Sequence, residues 1–335
     1  MTFLPFDKLV AKISSLLQQN GCSPYVADSV ALGLSETSLR GVDSHGIRLL
    51  PHYVRALKSG RINGNPRFRV HSKYSSFISI DSDDTFGHAS GFYAIDECCQ
   101  RAETSGVCVA AVYNSSHPGA MASYAYRAAE KGYAAFAFTH ADSLIQSHLG
   151  TTKFFGTNPI CFGTPRQSEP PFCVDMAPSY IPWNKVKNHI ESGTTIDGPY
   201  AVDSSGNVTL NPSEASALLP IAGHKGFALA ALVEVLCSCL TGMNFGPNIP
   251  SMYGSPINEP RRLGQFYIVM RVDGCCSEEE FFQSIHNLGV SLRQSSPGSA
   301  VLMPNDPQII ESKRRMQDGI EVPSEVESLF LSYNL

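Results

Sequence analysis

Several short motifs that mark large enzyme classes are missing from this sequence of 335 residues. No G-x-G-x-x-G pattern occurs, so the glycine fingerprint of a Rossmann dinucleotide site is not supported. G-x-S-x-G, H-E-x-x-H and C-x-x-C are missing as well. Serine-hydrolase chemistry and a zinc site therefore have no motif behind them, and we predict no metal ligands.

Basic residues are neither in excess nor strongly clustered. Lys and Arg number 25 against 30 Asp and Glu, and the largest basic cluster is Lys313–Arg315. This composition argues against nucleic acid and against an anionic membrane surface as the main partner. It still allows a local basic pocket that binds a small anion.

Long apolar runs are lacking too. The strongest run, Phe227 to Leu236, contains Glu234 and is too short to span a bilayer. The first residues have neither the basic region nor the apolar core of a signal peptide. Several of the ten cysteines lie in apolar patterns, which predicts reduced, buried thiols. Together these features predict a cytoplasmic location.

The composition is that of a globular α/β chain with more than one lobe. Apolar residues make up 43% and charged residues 16% of the sequence. Helical patterns fill residues 6–58, and a strand–loop–helix–strand unit runs from Val107 to Thr139. Polar residues gather in the first loop of that unit, where functional side chains often lie.

The segment Arg40–Tyr53 has the densest collection of chemically useful side chains. They are Ser44, His45, Arg48, His52 and Tyr53. The pattern predicts a helix from about Ile47 to Leu57, with His45, Arg48 and His52 on one face. Unpaired N–H groups and side-chain donors at its entrance could bind an anion. The alternative interpretation is that Ser44 merely caps the helix and His45 is a surface residue.

Four further residues have both a functional and a structural interpretation. His117 follows a buried strand and suits general acid–base chemistry, or it is incidental to a capping loop. Lys225 stands at a glycine-flanked helix entrance and either binds an anion or is solvated. Asp142 and Asp175 each follow a strand and either bond a ligand hydroxyl or cap a turn.

The ordered set of motifs is more specific than any one of them. In chain order the motifs are Asp43–Ile47 with Tyr53, Ser116–Gly119, Phe155–Pro159, Val174–Ala177, Ala201–Asp203 with Gly206, and Leu218–Gly226. This order resembles the type-2 malate/L-lactate dehydrogenase family over nearly the whole chain. Within the family, Leu219–Gly223, Ser251–Tyr253 and Leu263–Gln265 are most similar to members that act on ureidoglycolate.

The resemblance implies an α/β fold without a Rossmann domain. A mixed, largely antiparallel sheet with flanking helices would bind the nicotinamide cofactor. Residues 1–70 would form a helical segment that packs with the C-terminal helices of residues 271–335. Residues 71–270, including a helical part at 184–240, would form the cofactor-binding region. A homodimer or larger homo-oligomer is expected.

The resemblance also implies roles for the candidate residues. His117 and His45 are the catalytic acid–base candidates, and which of them acts stays open. Ser44, Arg48 and Tyr53 would bind the carboxylate of a small substrate. The cofactor is NAD or NADP, and the residues expected to contact it are Asp142, Asp175, Met176, Ala177, Lys225, Gly226, Asn305 and Asp306.

The reaction implied is hydride transfer between nicotinamide and a small 2-hydroxy acid or 2-oxo acid, of the ureidoglycolate, malate, lactate or sulfolactate type. One alternative within the family is reduction of a cyclic imine such as piperideine-2-carboxylate. Another alternative is a non-catalytic binding protein on the same fold. It is motivated by the turn Ser147–Gly150, which departs from the family's usual glycine-rich turn.

Overall fold

The computed structural model describes residues 2–296 and 298–335 and has the predicted α/β architecture. Its α-helices are α1 (Phe6–Gln19), α2 (Pro24–Leu39), α3 (Leu50–Lys58), α4 (Gly87–Ser105), α5 (Ala122–Glu130), α6 (Trp183–Ser192), α7 (His224–Glu234), α8 (Glu278–Gln294), α9 (Asp306–Asp318) and α10 (Ser324–Ser332). None of the described helices combines the length and the apolar character needed to cross a bilayer.

The strands are mostly short. They are β1 (Thr2–Leu4), β2 (Arg69–Tyr74), β3 (Phe77–Asp81), β4 (Val107–Ser115), β5 (Tyr133–Thr139), β6 (Ile145–Gln146), β7 (Lys153–Phe155), β8 (Ile160–Arg166), β9 (Glu169–Met176), β10 (Ala201–Val202), β11 (Val208–Thr209), β12 (Ala217–Leu218), β13 (Leu263–Arg271) and β14 (Ile320–Val322).

The main sheet has seven strands in the order β2-β3-β4-β13-β5-β8-β9. Only β3 and β4 run parallel, and every other pair is antiparallel, as the resemblance predicted. Because β13 lies between β4 and β5 and runs against both, its first residues lie beside the last residues of its two neighbours. The end of β9 reaches the same edge through β8, since Met176 pairs with Ile160 and Ile160 pairs with Phe138. Residues far apart in sequence are therefore gathered along one edge.

Side-chain alternation gives this sheet two buried faces. On β4 and β13, Val112 and Tyr267 pack with α4 and α5. Their neighbours Ala111 and Phe266 point to the opposite face and pack against Val233 of α7. Burial on both sides explains why β4 and β13 are continuous apolar runs and lack a polar alternation.

A helical layer from both chain ends lies beside the sheet. Leu9 of α1 and Val30 of α2 share one core with Phe330 of α10. The strands β1 and β14 pair directly, with Thr2 opposite Val322. A five-stranded sheet, in the order β11-β10-β12-β6-β7, is built from the middle of the chain and includes the predicted hairpin around Gly206.

The helix predicted from Ile47 begins three residues later than expected. Residues 43–45 and 47–49 form two 3₁₀ turns, and α3 starts at Leu50 with Pro51 in its first turn. The Ile47 N–H donates to the Ser38 hydroxyl (2.9 Å), a contact with α2 that the local sequence does not indicate. The prediction of one regular helical face for residues 45–52 was therefore wrong.

Gly264 is required by a close approach between β13 and the turn that follows α7. Residues 235–239 form a π-helical turn, and a Cβ atom at Gly264 would lie 1.7 Å from the Cys237 carbonyl oxygen. The register of β13 against β4 shifts between Leu263 and Gln265, as at a β-bulge. Bulges of this kind redirect the chain beside functional sites.

We expect Gly264→Ala to lower the free energy of unfolding by about 3 kcal/mol or more, because backbone atoms would have to move apart. Gly274→Ala is the matched control, since the nearest atom to its Cβ would lie at 3.6 Å. Urea unfolding followed by circular dichroism measures both variants. A Gly264→Ala protein as stable as the control would contradict this interpretation.

Candidate active site

His117 lies two residues after the end of β4, at the edge of the main sheet where the ends of β4, β5 and β9 lie beside the start of β13. Its side chain contacts α3 there. The phenol oxygen of Tyr53 is 2.8 Å from His117 Nδ1. Tyr53 is 2% exposed and packs against the ring of Phe86, so its hydroxyl has a fixed position. Nε2 of His117 forms no hydrogen bond to the described residues, while the ring is only partly buried. The imidazole is therefore oriented at one nitrogen and available at the other.

The start of α4 holds the backbone around His117. The Gly87 N–H donates to the Ser116 hydroxyl (3.0 Å). A Cβ atom at Gly87 would lie 2.4 Å from the Ser116 carbonyl oxygen and 2.6 Å from the His117 carbonyl carbon. Only glycine permits this contact, and it fixes the loop against the helix.

His45 faces His117 from the helical layer. The two imidazole rings are 5.7 Å apart between centroids and inclined by 25°. The Ser44 hydroxyl lies 2.9 Å from His45 Nδ1. The side-chain amide of Asn184, on α6, donates to the Ser44 carbonyl oxygen (3.1 Å). The two predicted histidines are thus brought together, with Ser44 and Tyr53 each bonded to one of them.

The segment that carries His45 is anchored by the C-terminal part of the chain. Both Asp43 carboxylate oxygens accept from Arg315 on α9, at 2.6 and 2.9 Å. Arg315 also donates to the Ser38 carbonyl oxygen (2.7 Å). This two-point ion pair holds the first 3₁₀ turn in one orientation.

Burial and positive charge lower the pKa values of the histidines in this region. Burial lowers the pKa of His45 and lowers that of His117 well below its usual value, with His45 and Arg261 adding to the effect on His117. The pKa of His52 falls to about 4, mainly through burial and then through nearby Arg61. The rings are therefore neutral near pH 7, and one unshared electron pair on each can accept a proton.

The burial and the contacts of Arg48 and Arg261 differ from what the sequence suggested. Arg48, predicted to bind the substrate carboxylate, is exposed and forms no hydrogen bond or ion pair within the described residues. Arg261, in the loop before β13, is 4% exposed. It bonds Asp142 Oδ1 through Nη2 (2.5 Å) and the Pro250 carbonyl oxygen through Nε (2.9 Å). Asp142, predicted to contact the cofactor, therefore lies at the sheet edge as the partner of Arg261.

The predicted cofactor residues form two groups. Met176 ends β9 and Ala177 follows it, beside the entrance of α7, because the Ile221 N–H donates to the Pro178 carbonyl oxygen (2.9 Å). The Gly226 N–H in turn donates to the Ile221 carbonyl oxygen (2.9 Å). Lys225 is exposed there and forms no ion pair within the described residues. This group offers a free cation at the start of a helix, next to an open sheet edge.

The remaining cofactor candidates have bonds within the protein. Asp175 Oδ2 accepts from the Ala122 N–H at the start of α5 (2.8 Å), which is a helix-capping contact. Asp306 accepts from the Met303 N–H (2.9 Å) and from Arg293. Asn305 contacts Tyr126 and lies near Pro171, toward the opposite end of β9 from Met176. The structure therefore separates Asn305 and Asp306 from the Lys225 group.

A buried polar network braces the edge that carries Asp142 and Arg261. His140 Nε2 accepts from the Gly264 N–H (2.8 Å), so its proton lies on Nδ1, 3.6 Å from Glu234 Oε1. Glu234 accepts from Asn158 (2.6 Å) and from the Gly246 N–H (2.7 Å). Asn158 belongs to the Phe155–Pro159 motif, and its role is to tie α7 to the strands.

Sequence reasoning missed two buried residues beside the histidine pair. Arg261 stands in the polar stretch Asn258–Arg262, which reads as a solvated loop. His88, on α4, is 1% exposed, and neither ring nitrogen has a partner within the described residues. Its ring lies 5.8 Å from that of Tyr53 between centroids. No three His, Cys, Asp or Glu side chains of the described residues are placed to hold a metal ion.

The chain is similar to known proteins over nearly its whole length. A family model described as malate/L-lactate dehydrogenase matches residues 4–329. The chain is 28% identical over 323 residues to ureidoglycolate dehydrogenase (NAD(+)) of Escherichia coli strain K12, covering 96% of this chain and 92% of that protein.

Solved structures give the same relationship. The chain superimposes on malate dehydrogenase from Entamoeba histolytica with a TM-score of 0.92, at 25% identity, covering 100% of this chain and 98% of that one. The TM-score to delta1-piperideine-2-carboxylate reductase from Pseudomonas syringae is 0.90, at 28% identity and 99% coverage of both chains.

The buried His88 should make the fold sensitive to acid. Its pKa is lowered to about 3, mainly by burial, so the unfolded chain binds a proton that the folded chain excludes. Stability is therefore complete above about pH 6.5 and falls as the pH drops toward 3. At pH 5 the loss from this residue is ~2 kcal/mol.

We expect His88→Leu to reduce the decline in unfolding free energy between pH 7 and pH 5 by ~2 kcal/mol, while His45, His52 and His117 still contribute. The exposed His71 provides the matched control, His71→Leu, which should leave the decline as in the unaltered protein. Urea unfolding at both pH values measures the difference. An unchanged decline in His88→Leu would show that His88 is not the acid-sensitive group.

Proposed function

The chain belongs to the malate/L-lactate dehydrogenase family, and on that premise we propose that it transfers a hydride between nicotinamide and a small 2-hydroxy or 2-oxo acid. The observation that carries the proposal is the His117 imidazole, which is bonded through Nδ1 to Tyr53 and free at Nε2. Such a ring is suited to moving one proton to or from a substrate oxygen.

His117 is the proposed proton acceptor. Oxidation of a hydroxy acid requires removal of the hydroxyl proton, and Nε2 can accept it when Nδ1 carries the ring's own proton. Nδ1–H then donates to the Tyr53 oxygen, which stays a neutral phenol because burial raises its pKa. In the reverse direction the protonated ring returns the proton to the oxo group.

His45 is the second acid–base candidate, and we propose a supporting role for it. Its Nδ1 is bonded to Ser44, which belongs to the same 3₁₀ turn, so its orientation depends on a local contact. His117 is oriented by a side chain from a different layer of the fold. His45 also lowers the pKa of His117, which helps to keep the His117 ring unprotonated at neutral pH.

The Lys225 group fits the anionic part of a nicotinamide dinucleotide. A pyrophosphate needs a cation, and Lys225 offers one at the start of α7, where the helix dipole also favours an anion, beside Met176 and Ala177. When bound, the cofactor supplies the hydride chemistry. NAD and NADP both remain in the proposal, because no described residue is assigned to the ribose 2′ position.

Assembly and location are part of the proposal as well. The exposed apolar residues Leu229 and Leu232 on α7, with Val235 in the turn that follows, support a homodimer or larger homo-oligomer. Free cysteines, seven of which are buried, support a cytoplasmic location.

Reduction of a cyclic imine that bears a carboxylate is the second candidate. It is favoured by the similarity to delta1-piperideine-2-carboxylate reductase over 99% of the chain. The same histidine would give its proton to the imine nitrogen. A panel of oxaloacetate, pyruvate, sulfopyruvate, glyoxylate and piperideine-2-carboxylate, with ureidoglycolate tested for oxidation, separates the two by nicotinamide absorbance. Cofactor binding without turnover on any of them would favour the non-catalytic alternative.

We expect His117→Ala to lower kcat on the active substrate by about 10²–10⁴-fold, because the proton loses its acceptor. NADH binding, measured by fluorescence, should be retained, since His117 is not part of the Lys225 group. His71→Ala is the control, because His71 is exposed on β2. A kcat within threefold of the unaltered enzyme would remove His117 from the mechanism.

The lowered pKa of His117 predicts different pH profiles for oxidation and for reduction. At neutral pH the ring is in its acceptor form, so kcat/KM for oxidation should be constant between pH 7 and 8. For reduction, kcat/KM should rise about tenfold for each unit of acidification in that range, because the protonated ring is scarce. Initial rates in both directions test this. A reduction rate independent of pH would mean that the proton donor has a pKa above 8.

A further inference from the structure

Arg261 has one hydrogen-bond donor group, Nη1, that no described residue of the protein accepts from. Its Nε and Nη2 groups donate to Pro250 and Asp142, but Nη1 is buried and has no partner within the described residues. A buried charged donor without a partner is unfavourable, so each such group needs an explanation. The unused donor therefore points to an acceptor supplied from outside the chain.

The charge of Arg261 acts on His117 and on His52. It lowers the pKa values of His117 and His52, and it lies close enough to Tyr53 and Tyr253 to affect their pKa values as well. The sheet order explains this proximity, because the loop before β13 borders the end of β4. An anion bound to Arg261 would thus lie beside His117.

The other arginines of the region do not offer the same combination. Arg48 is exposed and unbonded among the described residues. Arg61 is buried, but its Nη1 and Nη2 groups donate to the carbonyl oxygens of Met252, Ser255 and Pro256. Arg61 Nε is also buried without a partner among the described residues, but both terminal nitrogens, which a carboxylate would bind, are already used. Arg61 therefore stabilises the loop that carries Tyr253.

We propose that Arg261, through Nη1, binds the substrate carboxylate next to His117. The inference rests on the proposed function and names the residue that recognises the acid group. Asp142 then acts as a positioning residue that fixes the guanidinium through Nη2. The substrate class that follows carries a carboxylate on the carbon next to the reacting C=O or C=N bond.

Binding of unreactive analogues tests this assignment without relying on turnover. Oxamate imitates a 2-oxo acid and pyrrole-2-carboxylate imitates a cyclic imine acid. Each is titrated calorimetrically into the protein saturated with NADH. We expect Arg261→Gln to weaken the analogue that binds by at least about 30-fold, because a buried charged partner is lost.

Three further variants complete the test. Arg261→Lys keeps the charge that Asp142 needs, and it should weaken binding by about tenfold, since a lysine cannot reproduce the guanidinium fork. If Arg261→Gln does not fold, Arg261→Lys takes its place as the test of the proposal. Arg55→Gln is the matched control, because it removes an exposed positive charge from α3. Its affinity for the analogue should stay within threefold of that of the unaltered protein. Arg48→Gln tests the competing residue.

The outcomes separate the assignment from the proposed function. Arg261 is supported if its variants lose more affinity than Arg48→Gln while NADH binding persists. The assignment is overturned if Arg261→Gln binds the analogue with an affinity within threefold of that of the unaltered protein. It is also overturned if Arg48→Gln loses more affinity than Arg261→Gln, or if the unaltered protein binds neither analogue. Absence of turnover on every substrate, with analogue binding intact and dependent on Arg261, would reject the dehydrogenase function and retain the carboxylate site.

Discussion

The hydrogen bond between Tyr53 and His117 joins the two layers of the molecule. Tyr53 belongs to the helical layer, whose core includes residues from both chain ends, and His117 belongs to the loop after a central strand. Neither layer contains the histidine pair alone, since His45 comes from the first and His117 from the second. The relative position of the layers therefore sets the distance between the two rings, and packing far from the site contributes directly to its chemistry.

The buried region around the two histidines contains more positively charged side chains than carboxylates to pair with them. Arg61 and Arg261 are buried at the sheet edge, and only Asp142 forms an ion pair with either of them among the described residues. Burial keeps the nearby histidines neutral, and the surplus positive charge reinforces that effect. A bound anion would balance the region, so affinity for an acid and control of the proton acceptor arise from the same set of charges.

Much of the fold could be predicted from the sequence, whereas the site could be predicted only in part. The buried strand before His117 and the helix after it are long, strongly patterned elements, and local preference agrees with tertiary packing there. The start of α3 was misplaced because Ser38, on another helix, bonds the Ile47 N–H. Arg261 was missed because its burial depends on strands β4 and β5, which lie more than a hundred residues earlier. Nothing in the polar sequence Asn258–Arg262 indicates that Arg261 is buried.

The pairing of β1 with β14 has a consequence for the order in which the protein matures. Thr2 is synthesised long before its partner Val322, because most of this sequence lies between them. Until then, the helices that carry His45 and Tyr53 lack the apolar surface of Phe330. The central strand β13 is also made late relative to β4 and β5, so the sheet and the helical layer are completed within the same part of the sequence. The two histidines therefore meet in their finished setting only after Val322 and Phe330 have been made.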